Sequence, residues 1–159
     1  MSGPLHDGGS SDDPASLASV TAGLVSDRAG IAALLAGVKV IALVGASPNE
    51  ARPSYGVMKF LLSRGYRVIP VNPGQAGKTL LGETCHATLA DIPEPVDMVD
   101  IFRASEAVPG IVDEALALVP QPRVIWTQLG VRHDAAAAKA VAAGMAVVMD
   151  HCPKIELLR

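Results

Sequence analysis

Residues 38–48 read Val-Lys-Val-Ile-Ala-Leu-Val-Gly-Ala-Ser-Pro. The aliphatic run is nearly continuous and stops at a glycine followed by small residues. A strand that keeps one face in water alternates polar and apolar side chains, whereas a strand covered on both faces does not. The stretch therefore predicts a central strand of a parallel sheet over 39–44, with a turn at its carboxyl end. The rest of the chain repeats the same theme of apolar strand, polar loop and helix.

The other elements follow from period and punctuation. Ser26 suits the N-cap of a first helix with Asp27 in its first turn. Ile31, Leu34, Leu35 and Val38 share one face of it, and Gly37 suits its stop. A loop through Pro53 leads to a helix over 54–64 that turns Val57, Phe60 and Leu61 inward. Strands are predicted over 66–71, 96–102, 123–128 and 145–149. Helices are predicted over 109–119, with Pro109 in the first turn, and over 134–143. The stretch 75–95 is looser, with at most a short strand over 81–85 and a short helix near Leu89. Strand–helix alternation with right-handed crossovers gives an α/β, Rossmann-like, doubly wound and mostly parallel sheet of five to six strands in a single domain. Residues 1–25 are expected to be a mobile N-terminal tail, because their Gly, Ser, Asp and Pro content buries too little to offset ordering. Residues 26–159 form the domain.

Composition narrows the function classes. At 159 residues, half of them hydrophobic, the chain can bury a proper core. Aromatics are only 3%, which argues against a surface that stacks bases. The net charge of −3 gives no basic field for nucleic acid. Asp7, Asp12, Asp13 and Asp27 against Arg28 place that excess in the first 30 residues. Two cysteines, Cys85 and Cys152, suit a reducing compartment better than a disulfide scaffold. The first residues lack the basic-then-apolar pattern of a signal peptide. Asp27, Arg28 and Lys39 break the apolar stretch 17–44 before it reaches the ~18 residues of a spanning helix. A cytoplasmic protein with neither a nucleic-acid nor a membrane partner is expected.

In such sheets ligands bind beyond the carboxyl ends of the strands, where the strand order reverses. Those ends are Gly45-Ala46-Ser47, Asn72-Pro73, Phe102-Arg103, Gln128-Leu129-Gly130 and Asp150-His151-Cys152-Pro153. They should lie along one edge. The set has no Ser-His-Asp order, close carboxylate pair or metal-ligand spacing, so a binding edge is expected rather than a reaction centre. In the loop 45–54, Gly45 permits a sharp turn and close approach to a ligand, and loop amides and the first helical turn after Ser54 would face an anion. Arg52 adds a forked cation suited to phosphate. A spaced three-glycine fingerprint is missing, so the loop alone also fits a plain strand–helix connection.

Other motifs carry less. Gly77-Lys78-Thr79 ends like a P-loop, but Asn72 stands where the first glycine belongs and Gly82 soon interrupts any helix. Cys85-His86 and His151-Cys152 are neighbours on extended segments, where adjacent side chains point to opposite sides, so no metal site is expected. Solvated roles suffice for His6 and His133. Trp126 suits the core, with an edge that could border a ligand.

Six ordered stretches together resemble the small stand-alone CoA-binding domain family, related to the CoA-binding module of succinyl-CoA synthetase α subunits. They are residues 44–48, 52–57 (Arg-Pro-Ser-Tyr-Gly-Val), 68–73 (Val-Ile-Pro-Val-Asn-Pro), 99–103 (Val-Asp-Ile-Phe-Arg), 126–130 (Trp-Thr-Gln-Leu-Gly) and 149–154 (Met-Asp-His-Cys-Pro-Lys). The resemblance covers about 26–159. It implies coenzyme A or an acyl-CoA as ligand, with Gly45, Ala46, Ser47, Arg52, Pro53 and Ser54 as the phosphate-binding loop. Asn72 and Pro73 would border the nucleotide, Phe102 and Arg103 would lie near adenine and ribose, and Gln128, Gly130 and Cys152 would lie toward pantetheine. His151 stands where the family often has arginine, which puts a phosphate contact there in doubt, although a protonated His could partly replace it. Stand-alone members have no established reaction, and the synthetase's phosphohistidine belongs to a different domain.

The resulting expectation is non-catalytic binding of CoA or acyl-CoA, as a sensor or carrier. The alternative is an NAD(P)-binding regulatory module, against which Asn72 counts: a dinucleotide ribose asks for an acidic residue at that strand end. An enzyme using Cys152 as nucleophile and His151 as base lacks an orienting third group. A milder version has Cys152 form a mixed disulfide with CoA. A homodimer is compatible with all of these, and the sequence names no other protein partner.

Overall fold

The computed structural model describes residue 17 and residues 21–159. The chain opens with β1 (Gly23–Leu24), α1 (Arg28–Gly37), β2 (Val40–Val44), α2 (Pro53–Ser63) and β3 (Arg67–Val71). A small hairpin follows, made of β4 (Thr79–Leu80) and β5 (Glu83–Thr84). Then come β6 (Met98–Ile101), α3 (Val108–Leu116), β7 (Val124–Thr127), α4 (Asp134–Ala142), β8 (Ala146–Val148) and α5 (Pro153–Leu157).

Six strands pair in the order β1-β8-β7-β6-β2-β3, every pair parallel. The aliphatic runs explain this arrangement. In β2, Ile41 and Leu43 enter one core with α1 and α2, while Ala42 and Val44 enter the other with α3 and α4. The chain moves outward from β2 to β3 and then returns to the opposite flank of β2 with β6. The order therefore reverses between β2 and β6, and the loops that leave those two strands diverge there. At the other end of the strands, Asp97 accepts the N–H groups of Lys39 and Val40, both at 2.9 Å, and ties the starts of β6 and β2 together.

The expected fold class is the observed one, and the departures are local. The first helix is capped by Asp27, not Ser26: the Asp27 carboxylate accepts the Gly30 N–H at 3.0 Å. Both residue types cap well, so the sequence offered two adjacent starts. The boundary expected at residue 25 falls beyond an element, because Gly23 and Val25 donate their N–H groups to Met145 and Val147 of the sheet. A strand held by main-chain bonds does not need an apolar sequence. The rest of the expected tail, residues 1–16 and 18–20, lies outside the described residues. Within 75–95 a hairpin replaces the single short strand. It turns through Leu81 and Gly82, both at positive φ, +49° and +84°, a geometry suited to tight hairpins. Leucine rarely adopts it, so no turn was visible there. α5 was also missed, since five residues are too few for a helical period to register.

Candidate functional site

The carboxyl ends of β2, β3, β6 and β7 surround a cleft of about 740 Å³, within the usual span of small-molecule sites. Ladder bonds continue past the strands: Gly45 N–H to Val71 C=O, Phe102 N–H to Val44 C=O and Gln128 N–H to Ile101 C=O. These bonds align Gln128, Phe102, Gly45 and Asn72 as one row across the sheet, just above the last paired residues. That row forms part of the cleft wall.

Gly45 is where the sheet end is tightest. Its φ is +91°, and a Cβ there would stand 2.5 Å from the Phe102 carbonyl oxygen and 3.0 Å from Arg103 Cδ. The sharp turn expected at this position is present, and its structural need is contact with the β6 backbone. The loop that follows is ordered by its own groups. Ser47 Oγ accepts the Asn49 N–H at 3.1 Å, Asn49 Oδ1 accepts the Ala51 N–H at 2.9 Å, and the Asn49 carbonyl accepts the Arg52 N–H at 3.0 Å. Gly45 and Ala46 both donate to the Val71 carbonyl, so these two amides are not free for an anion, contrary to expectation. The N–H groups of Ser47 and Ser54 make no hydrogen bond with a described residue. α2 begins beneath this loop with Arg52 at its N-cap position and Pro53 in its first turn, and no side chain caps it. Its positive dipole end thus faces the cleft.

Arg52 and Arg103 are exposed cleft residues, and neither forms an ion pair with a described residue. The Asn72 carboxamide is committed to the scaffold: Nδ2 donates to the Ala46 carbonyl at 2.7 Å and Oδ1 accepts the Gly74 N–H at 2.9 Å. Across the cleft, Gln128 is 8% exposed and its Oε1 has no partner among the described residues.

Every residue proposed from sequence lines the cleft except Gly130 and Cys152. Gly130 supplies a left-handed turn, φ +81°, behind the wall. Cys152 is 6% exposed and packs in the core cluster shared with Val57, Met58 and Trp126, so its thiol is not brought into the cleft wall. His151 does not line the cleft either. Its Nδ1 lies 3.2 Å from Glu156 Oε2, and its ring meets Trp126 edge-on. A phosphate contact from His151 finds no support in this placement. Trp126 is fully buried and donates Nε1–H to the His151 carbonyl at 2.8 Å. His133 caps α4 by accepting the Ala136 N–H at 3.1 Å.

Sequence reasoning missed Ala104, Leu129 and Val131, which complete the wall. Leu129, at 54% exposure, was quoted only as part of a strand end. It also missed Asp100, two rows below the cleft-lining row. Asp100 pairs in register with Leu43 and Trp126, is 0% exposed, and neither carboxyl oxygen has a partner among the described residues. Burial pushes its carboxyl well above the usual carboxylate range.

A family model described as "CoA binding domain" matches residues 39–157. A Bacillus subtilis protein, uncharacterized protein YneT, is 36% identical over 128 residues, 80% of this chain and 92% of its own length. The ADP-forming acetate–CoA ligase I of Archaeoglobus fulgidus is 37% identical over 76 residues, which are 48% of this chain and 11% of that enzyme. Among solved structures, a Thermus thermophilus protein superposes with a TM-score of 0.79 at 39% identity, covering 84% of this chain and 98% of that one. A hypothetical protein from Pyrococcus horikoshii gives 0.78 at 35%, covering 84% and 92%.

Proposed function

The chain belongs to the CoA-binding domain family, and we propose that its cleft binds coenzyme A or an acyl-CoA without catalysing a reaction, as a sensor or carrier. The observation that carries this reading is the concentration of anion-attracting groups at the β2–β6 reversal. The uncapped start of α2, the Ser47 and Ser54 amides, Arg52 and Arg103 all meet there. A pyrophosphate placed on this corner would gain both the helix dipole and bidentate guanidinium contacts. The opposite wall, with Phe102, Ala104, Leu129 and Val131, offers apolar surface for adenine and the pantetheine arm. Among the described residues, no nucleophile with an oriented base lines the cleft, which supports binding over reaction.

Calorimetric titration with CoA, acetyl-CoA, NAD and ATP tests this. Saturable heat with a CoA ligand, and weaker or no heat with the others, is expected. Silence with both CoA ligands up to millimolar concentration would sink the reading. Preferential NAD binding would replace it with a dinucleotide module.

A further inference from the structure

Asp150, at the end of β8, adopts φ +61°, a left-handed conformation rarely taken by residues with a Cβ. Asp is among the few that tolerate it, and such outliers cluster where the surrounding structure uses them. Here the unusual backbone aims a carboxylate at a neighbouring turn. Asp150 Oδ1 accepts the Gly130 N–H at 2.7 Å. The Asp150 N–H in turn donates to Thr127 Oγ1 at 3.1 Å, and the buried Thr127 hydroxyl donates to the Val131 carbonyl at 2.6 Å. The Val131 N–H closes the turn on the Gln128 carbonyl at 2.9 Å. Thr127 and Asp150 therefore grip the turn 128–131 from both sides, and that turn contributes Gln128, Leu129 and Val131 to the cleft.

We propose that Asp150 is a positioning residue that holds this turn in the shape needed to receive the pantetheine arm, and so sets affinity for the whole CoA molecule but not for its nucleotide half. The inference rests on the reading of the cleft as a CoA site. Its direction comes from the division of chemistry within the cleft. Arg52 and the start of α2 stand on the β2 side, whereas the turn follows β7 on the far side of Phe102. A carboxamide and two aliphatic side chains match an arm of amides and methylenes. They include no cation to neutralise a phosphate.

Two substitutions separate backbone conformation from the hydrogen bond. Asp150→Gly accepts positive φ freely but removes the acceptor. Asp150→Asn keeps an acceptor oxygen and tolerates the left-handed region. Each variant is titrated with CoA and with adenosine 3′,5′-bisphosphate, and amide hydrogen exchange at Gly130 is followed without ligand. Asp150→Gly should weaken CoA about tenfold, as expected for losing the hydrogen bond that holds the turn. It should leave the bisphosphate unchanged and speed exchange at Gly130. Asp150→Asn should stay within about twofold of wild type on all three readouts. Wild-type-like CoA affinity in Asp150→Gly overturns the proposal, and so does equal weakening of both ligands. If the wild-type protein takes up neither ligand, the CoA reading falls. The Gly130 exchange rate then still decides whether Asp150 holds the turn, and an unchanged rate in Asp150→Gly overturns that.

Discussion

Replacing Asp100 by Asn should remove from this protein a loss of stability that grows as pH rises. Asp100 is fully buried on β6 between Leu43 and Trp126, both oxygens lack a partner among the described residues, and burial alone raises its carboxyl. An unfolded chain ionises this group near its ordinary value of about 3.9. Below that value the proton is held in both states and the group adds no pH-dependent cost, only the fixed one of burying an unpartnered acid. As pH rises further, the unfolded chain releases the proton and the folded one keeps it, so the equilibrium moves toward unfolding. The loss accrues at about 1.4 kcal/mol per pH unit and levels off once the pH passes the folded-state value. Asn has a similar shape and does not titrate. The difference in unfolding free energy between Asp100→Asn and wild type should therefore grow with that slope from the unfolded value upward. Other titrating groups, such as Glu94 held low by its hydrogen bond to Arg67, act with the opposite sign, but they are common to both proteins and cancel in the difference. Urea unfolding of the two ligand-free proteins, at a series of pH values from about 4 to about 8, reads the slope directly. Asp100→Leu repeats the test without a buried amide. Wild-type and variant curves that stay parallel across the series would refute the reasoning, whatever their vertical offset.

Three further changes probe the cleft. Gly45→Ala combines positive φ with a Cβ 2.5 Å from the Phe102 carbonyl oxygen, a backbone atom that cannot swing aside. It should cost on the order of 2–4 kcal/mol in thermal or urea unfolding and remove ligand binding, and wild-type behaviour would contradict the packing described for β6. Arg52→Gln should weaken CoA about tenfold with unfolding unchanged, because the side chain is exposed and makes no ion pair with a described residue, and the affinity should become less sensitive to salt. Asn72→Ala removes the bonds to the Ala46 carbonyl and the Gly74 N–H and should lower stability by about 1–3 kcal/mol in the same unfolding assay. A stability loss of that size without a matching loss of affinity would identify Asn72 as scaffold.

What the sequence made legible was whatever depends on one-dimensional pattern. Continuous aliphatic runs such as 40–44 mark doubly covered strands, and the residues that follow each run must lie together at the sheet's carboxyl edge. For this reason Gly45, Asn72, Phe102 and Gln128 could be grouped before their distances were known. Features set by three-dimensional partnership were not legible. β1 exists because β8 supplies main-chain partners, and its own residues carry no strand signal. Cys152 follows a strand yet turns into the core, because α5 begins at Pro153 and packs against α1 and α2. Asp100 looked like one polar residue in an apolar strand, and nothing in the motif told that its neighbours leave it without a partner.

The distribution of polar atoms around the cleft supports the proposal that it binds its ligand without reacting with it. Ser47 accepts from Asn49, Asn72 spans Ala46 and Gly74, Thr127 holds Val131 and Asp150, and Asp150 holds Gly130. These are the groups a catalytic site would keep for its substrate, and in this protein they fix the loops. Among the described residues, the groups left over are two arginines, backbone amides at Ser47 and Ser54, the Ser54 hydroxyl and the Gln128 side chain. That remainder can neutralise phosphate and orient an amide. A rigid rim with unspent donors suits a ligand that must be recognised along its length, since preorganised contacts lose less entropy on binding. The same economy makes the proposal vulnerable at one point: if Arg52→Gln and Asp150→Gly both leave CoA affinity unchanged, neither wall of the cleft recognises the ligand, and the cofactor's site must lie elsewhere on the molecule.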